Sequence, residues 1–507
     1  MSIQHGCIIA GILIFLPAIM MQATPSTPTP IPPIVTPITM TPTPPITLDP
    51  ECVNANNEAP DYPEWGSQDY DVQHYTIDLR VDVNEGRVTG AATLVAKACT
   101  PLSAITLDLH ELEVSEVSVD GQEAAFHRET NKLLITMPTE IAQNHLFTTE
   151  VSYGGIPSSF PSAADPSTLI GWINYRDGIV VMGEPDGASS WYPVNNRPAD
   201  KALYTLNIEA PKGFNVFANG NLTSITERDT SAVYHWDVPW PTSSYLISVH
   251  ITPNPVITMT TSTGTTLKYQ YPPHLAGSAA ATLQRTPDYL AFLEGKFGPY
   301  PFESYGSVVI DVDTAPNLQV REDWAAVKGL ETQTYSLLFW QPGLDEHLVI
   351  HEMAHQWFGN SIGISDWRHI WLKEGMATYS EWLWDESLEG PGSLTEKVTA
   401  PEYYASFREQ YEPYPPGAPQ KGNLYHLTAY IRGAMTFHAL RMRLGDALFF
   451  DLIGRYGERF RNSSASTNDF IQLAEEISNQ ELDQFFATWL YSTDLPSVNN
   501  IAWPERE

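Results

Sequence analysis

An α+β fold is predicted for this 507-residue sequence: an antiparallel β domain followed by a mainly α domain. Two observations carry the prediction. From about Asp69 to Pro253 apolar and polar residues alternate with period two, and the runs are broken by Gly, Asn and Asp. That is the pattern of half-buried antiparallel strands. Beyond "PPHLAGSAAATLQR" apolar residues recur three and four positions apart over long stretches, the pattern of amphipathic helices.

The chain opens on an apolar run, "CIIAGILIFLPAIMM". It is short for a membrane span, which needs about 20 residues, and suits the apolar core of an export signal. No Lys or Arg precedes it, and "MQA" ending at Ala23 is a fair cleavage site. Residues 1–23 are therefore assigned as a signal peptide, with an uncleaved membrane anchor as the alternative. Residues 24–65 are a Pro/Thr-rich linker, "TPSTPTPIPPIVTPITMTPTPPITLDP" at its core. Repeated proline fixes φ and removes amide donors, so this tract is an extended spacer that holds the folded part off a wall or membrane.

Residues 66–253 form the β domain, with strands such as "YDVQHYTIDLRVDV", "RVTGAATLVAKA" and "ALYTLNIEAP". Residues 254–507 form the second domain, with helices such as "DEHLVIHEMAHQWFGNSI", "GMATYSEWLWDESL" and "HLTAYIRGAMTFHALRMRLGD". One short β region, "GSVVIDVDT", lies near its start. With 42% hydrophobic and 11% aromatic residues the chain can fill sizeable cores. Its formal net charge of -33 argues against nucleic acid or anionic lipid as a partner, since both need basic patches. It suits a secreted protein. Cys7 lies in the leader, which leaves Cys52 and Cys99 as one pair. They are either a disulfide or two free thiols, and an exported chain favours the disulfide.

The chemistry centres on "HEMAH". On a helix His351 and His355 project from one face and can ligate one cation. Glu352 sits beside the first ligand, where it can reach a metal-bound water. A catalytic zinc needs a third protein ligand and an open position. Glu374, in "WLKEGMATYSE", follows His355 after 18 residues, enough for a loop and a returning helix. Its apolar flanks Trp371, Leu372 and Met376 point to burial, and a buried carboxylate needs a cation.

HExxH, 18 residues and then Glu within "WLxEG" resembles the gluzincin metallopeptidases, specifically the M1 zinc aminopeptidases. "HEMAHQWFGN" and "WLKEGMATYSE" look like that family's HExxHxWFGN and WLNEGFAxYxE. "GEPDGASSWYPVNNRP", "KFGPYPFESYG" and "FFATWLYSTDLP" extend the likeness over most of the folded chain. The resemblance implies a thermolysin-like catalytic domain and an aminopeptidase acting on peptides with a free N-terminus. It implies one Zn²⁺ held by His351, His355 and Glu374, with Glu352 as general base. The family's oxyanion donor is a tyrosine in Y-x-K/R-G; "YIRG" points to Tyr430, with Tyr425 as understudy. Its ammonium-binding glutamate lies in G-x-M-E-N. Here "KGLETQT" puts Glu331 there, with Leu330 and Thr332 replacing Met and Asn. Counting nine back from Pro193 reaches Glu184 as the second amine-binding residue. Glu381 resembles a glutamate that orients His351 or His355 through the other ring nitrogen. The likeness is to a short form with no helical C-terminal domain.

Two departures stand out. His369 replaces a frequent Asp, and Lys373 replaces the Asn before the zinc glutamate. A lysine there competes with the cation unless it points outward. The alternatives to an aminopeptidase are an endopeptidase of the same fold and a catalytically inactive surface binding protein.

Overall fold

The computed structural model describes residue 52 and residues 60–342, 345–400 and 414–496. The leader and most of the proline-rich tract lie outside these residues. None of the described helices is long and apolar enough to cross a membrane.

The first half is built on an eight-stranded sheet. Tyr70–Asp82 lies at its middle, between Arg87–Ala98 and Lys201–Pro211. Alternation works as expected: Ala202, Tyr204, Leu206, Ile208 and Ala210 are all buried and the residues between them are half-exposed. One pair departs from the antiparallel expectation. Tyr70–Asp82 runs parallel to Lys201–Pro211, with His74 opposite Leu203. Period two is the same for both directions, and only a long connection of the kind present here permits a parallel pair.

A second, five-stranded sheet contains Leu169–Tyr175, Gly178–Met182 and Val249–Thr252. Gly178–Met182 is buried at every residue. One of its faces, through Ile179 and Val181, packs into the β-domain core. The other, through Val180 and Met182, joins a separate core with Val308, Ile310, Trp324, Leu337 and Phe339 of the second half. The strand therefore sits between the two halves and delivers Glu184, two residues past its end, to the second.

The second half contains more strand than "GSVVIDVDT" alone suggests. Five strands form a sheet in the order Val256–Thr260, Thr266–Gln270, Ser304–Asp311, Tyr335–Trp340, Gly329–Thr332. "YSLLFW" is buried on nearly every residue, so it shows no alternation to read. Gly329–Thr332 is an edge strand, antiparallel to Tyr335–Trp340. Beside it runs the HEMAH helix, Glu346–Ala354, whose Asp345 side chain caps the His347 amide.

The helix Trp371–Glu389 carries Glu374 in its first turn. Every residue from Trp371 to Ser380 is buried, so this end of the helix has no solvent face. It crosses the helix Gly433–Leu444 at a pair of glycines. A Cβ on Gly375 would lie 2.8 Å from the Gly433 Cα, and one on Gly433 would lie 2.9 Å from the Gly375 Cα. Immediately before Gly433 the chain makes a π-helical turn, Thr428–Arg432, that holds Tyr430. Such turns are rare and often mark functional sites.

The glycine crossing sets how closely Tyr430 approaches Glu374. Gly433→Ala is expected to force the helices apart and destabilise the protein by about 1–3 kcal/mol. Urea unfolding checks the loss, and activity is expected to fall further than stability.

Candidate active site

The HEMAH helix places His351 and His355 with ring centroids 4.9 Å apart. Glu374 Oε2 lies 3.4 Å from His351 Nε2 and 3.4 Å from His355 Nε2. Both histidines are anchored through the other nitrogen. His351 Nδ1 is 2.7 Å from Glu381 Oε1, and His355 Nδ1 is 3.0 Å from the Phe358 carbonyl oxygen. A carbonyl oxygen only accepts, so His355 Nδ1 carries the proton and donates. In the neutral ring the Nε2 lone pair then faces a carboxylate oxygen. Two acceptors at that distance need a proton or a metal cation between them. Donor atoms about 2.0–2.1 Å from a tetrahedral centre stand about 3.4 Å apart, so the donor set fits zinc in spacing and in kind.

Glu352 lies against this group. Its Oε2 is buried and has no hydrogen-bond partner among the described residues. Burial pushes its carboxyl up to about 7. Gly329 makes the room: a Cβ there would lie 2.5 Å from Glu352 Oε1.

Tyr430 stacks on His351 at 6.1 Å between centroids. Burial, then the charge of Glu374, holds its hydroxyl well above its ordinary pKa. Tyr425 is close as well; its hydroxyl is buried without a hydrogen-bond partner among the described residues, and burial and then Glu184 raise it in the same way. Both tyrosines stand at the site.

A second carboxylate group adjoins the first, with Glu331 Oε1 3.9 Å from His355 Nδ1. Glu184 comes from the β half and Glu331 from the edge strand, and both are buried with Glu374. Lys373 reaches into it. Its Nζ lies 2.6 Å from Glu184 Oε1, from Glu331 Oε1 and from Glu374 Oε1. The lysine therefore points inward, not outward.

The turn that carries Glu331 is held from both halves. Gln356 Nε2 and Asn360 Nδ2 both donate to the Thr332 carbonyl, at 3.0 and 2.9 Å. Gln356 Oε1 accepts from the Thr334 amide at 2.8 Å. From the β half, Asn219 Nδ2 donates to the Gln333 carbonyl at 2.7 Å and the Gly220 amide donates to Thr334 Oγ1 at 2.9 Å. Thr334 has φ +74°, a strained value for a β-branched residue, and these bonds fix it there.

Sequence reasoning passed over Gln356, Asn360 and Gly329, whose roles depend on strands distant in the chain. Lys373 had a signal: the apolar neighbours that argued for burial of Glu374 surround it equally. His369 is a packing residue. Its Nδ1 accepts from the Thr467 amide at 3.2 Å, and burial lowers it to about 4. Cys52 and Cys99 are joined in a disulfide with Cα atoms 5.7 Å apart, tying the segment before the β domain to the residue that follows strand Arg87–Ala98.

Glu381 orients His351 from the second helix. Glu381→Ala is expected to weaken zinc affinity about 10–100-fold with the fold intact, as read by chelator competition.

The chain is similar to known proteins over both halves. The model "Peptidase M1 N-terminal domain" matches residues 71–246, and "Peptidase family M1 domain" matches residues 282–489. The chain is 22% identical to Aminopeptidase M1-C of Oryza sativa subsp. japonica over 451 residues, covering 84% of this chain and 50% of that protein. It is 22% identical to glutamyl aminopeptidase of Sus scrofa over 494 residues, covering 88% and 50%. It thus spans about half the length of these relatives. Among solved structures, the M1 zinc metallopeptidase from Deinococcus radiodurans is 28% identical with a TM-score of 0.76, covering 86% of this chain and 97% of its own. A mutant of it bound to a Tyr-Ser-Ala substrate matches with a TM-score of 0.75. With both domain models matched in order across most of its length, this chain belongs to the M1 family of peptidases.

Proposed function

We propose that this protein is a zinc aminopeptidase that removes residues from the free N-termini of peptides. The reading rests first on one observation: two imidazole Nε2 atoms, each 3.4 Å from Glu374 Oε2, beside a buried and unpartnered Glu352 oxygen. His351, His355 and Glu374 would hold the metal. Zinc bound there supplies a Lewis acid that polarises a carbonyl and acidifies water.

The chain's own residues do the rest. Glu352 takes the proton of the attacking water and returns one to the leaving amine. Its high pKa suits both tasks. Tyr430, kept protonated, donates a hydrogen bond to the oxyanion that develops on the scissile carbonyl. Glu331 and Glu184 are the buried anions that a substrate ammonium would meet, with Lys373 already between them. The outer edge of Gly329–Thr332 offers backbone groups to which an extended peptide can pair. The deinococcal relative bound to a tripeptide supports a peptide substrate. We propose further that the protein works outside the cytoplasm, on the strength of the apolar leader and the Cys52–Cys99 disulfide.

Purified protein is expected to contain one zinc per chain, to lose activity with a chelator and to regain it with added zinc. Aminoacyl p-nitroanilides are expected to be cleaved and their N-acetyl twins left intact; equal rates would replace the aminopeptidase reading with an endopeptidase. Glu352→Gln is expected to lower kcat at least about 100-fold while zinc is retained. The base must be deprotonated, so kcat/KM is expected to fall as pH drops, with an acid limb at or below about 7.

A further inference from the structure

We propose that Lys373 determines specificity by occupying, as a resident ammonium, the anionic pocket of Glu184, Glu331 and Glu374, so that a substrate's free N-terminus binds only in competition with it. The inference rests on the aminopeptidase reading for the identity of the competing group.

The geometry is that of a filled site. An alkylammonium has three N–H donors. Lys373 Nζ donates to Glu331 Oε1 and to Glu374 Oε1, both at 2.6 Å, and pairs by charge with Glu184 Oε1 at the same distance. The side chain is fully enclosed. Its residue is 1% exposed, its Nζ lies 5.9 Å from the Tyr245 ring centroid, and its stem runs beside Gly359. Tyr245 is held in turn by its hydroxyl, which donates to the Gly359 carbonyl at 3.2 Å. The two cationic positions use different oxygens of Glu374. The histidines face Glu374 Oε2, whereas Lys373 takes Oε1. A divalent ion at the histidines and the Lys373 ammonium can therefore be present together.

Charge makes the consequence definite. One divalent ion and one lysine cancel the three carboxylates of this group, and no net negative charge is left for another ammonium. A second cation in this dry pocket meets the repulsion of the first. A peptide amine must push Lys373 aside or bind where the attraction is already spent. Substrates bearing a free N-terminus consequently bind weakly, and a neutral side chain at position 373 reverses this.

The test is Lys373→Met, which keeps the length of the stem and removes the charge. In zinc-loaded protein carrying Glu352→Gln, calorimetry measures binding of L-leucinamide and of N-acetyl-L-leucinamide with Lys373 present or replaced. L-leucinamide is expected to bind about tenfold tighter or better in the Lys373→Met protein, and the acetylated twin to change little. With Glu352 intact, KM for leucine p-nitroanilide is expected to fall by a similar factor. A purely structural lysine would move both ligands together. Unchanged or weaker binding of L-leucinamide overturns the proposal. Should Lys373→Met unfold, as thermal melting would reveal, Lys373→Gln takes its place with the same outcomes. Failure of the aminopeptidase reading looks different: zinc-loaded wild type and variant both leave every aminoacyl substrate intact. The calorimetric comparison still decides the role of Lys373 in that case.

Discussion

Four carboxylates, from Glu184, Glu331, Glu352 and Glu374, are buried around one pair of histidines. Such a concentration of anions is costly out of water unless each is matched by a cation or a proton. The rest of the site answers this demand. Lys373 serves three of the four. The histidine pair, with both Nδ1 atoms already engaged, leaves two lone pairs facing Glu374 and so calls for a proton or a metal. Glu352 keeps an oxygen with no hydrogen-bond partner among the described residues and is pushed towards its protonated form. That residual imbalance suits the proton transfers proposed for Glu352.

The fold holds these charges in register by sharing them between its halves. Glu184 belongs to the β half, and the strand before it is packed on both faces, one against each half. Glu331 rides on a turn gripped by Asn219 and Gly220 from one side and by Gln356 and Asn360 from the other. Glu374 is set by a helix whose first half has no solvent face and which touches its neighbour through two glycines. Displacing any one of these supports separates a carboxylate from its counter-charge. The site and the core are thus one structure.

Much of this was legible in the sequence for local reasons. His351 and His355 share a face by helical spacing alone, and Glu374 declared its burial through Trp371 and Leu372. The β half was legible because its strands are half-buried and so alternate. What escaped depends on non-local packing. The sheet of the second half hid because strands such as Tyr335–Trp340 are buried on both faces. The parallel pairing of Tyr70–Asp82 with Lys201–Pro211 leaves no trace in periodicity. Gln356 and Asn360 follow the metal motif closely, yet their task is to hold Thr332, on a strand that precedes it. Lys373 was visible as an anomaly, but its direction was not. Only the position of Glu184 and Glu331 shows why a lysine can be buried there.

The account stands on where the cations sit. Anomalous diffraction at the zinc absorption edge, on crystals of the purified protein, locates the metal without reference to activity. One peak is expected, bounded by His351 Nε2, His355 Nε2 and Glu374 Oε2, with Lys373 Nζ still among Glu184, Glu331 and Glu374. A peak within that carboxylate group, with Lys373 displaced, or no peak at the histidines would contradict it.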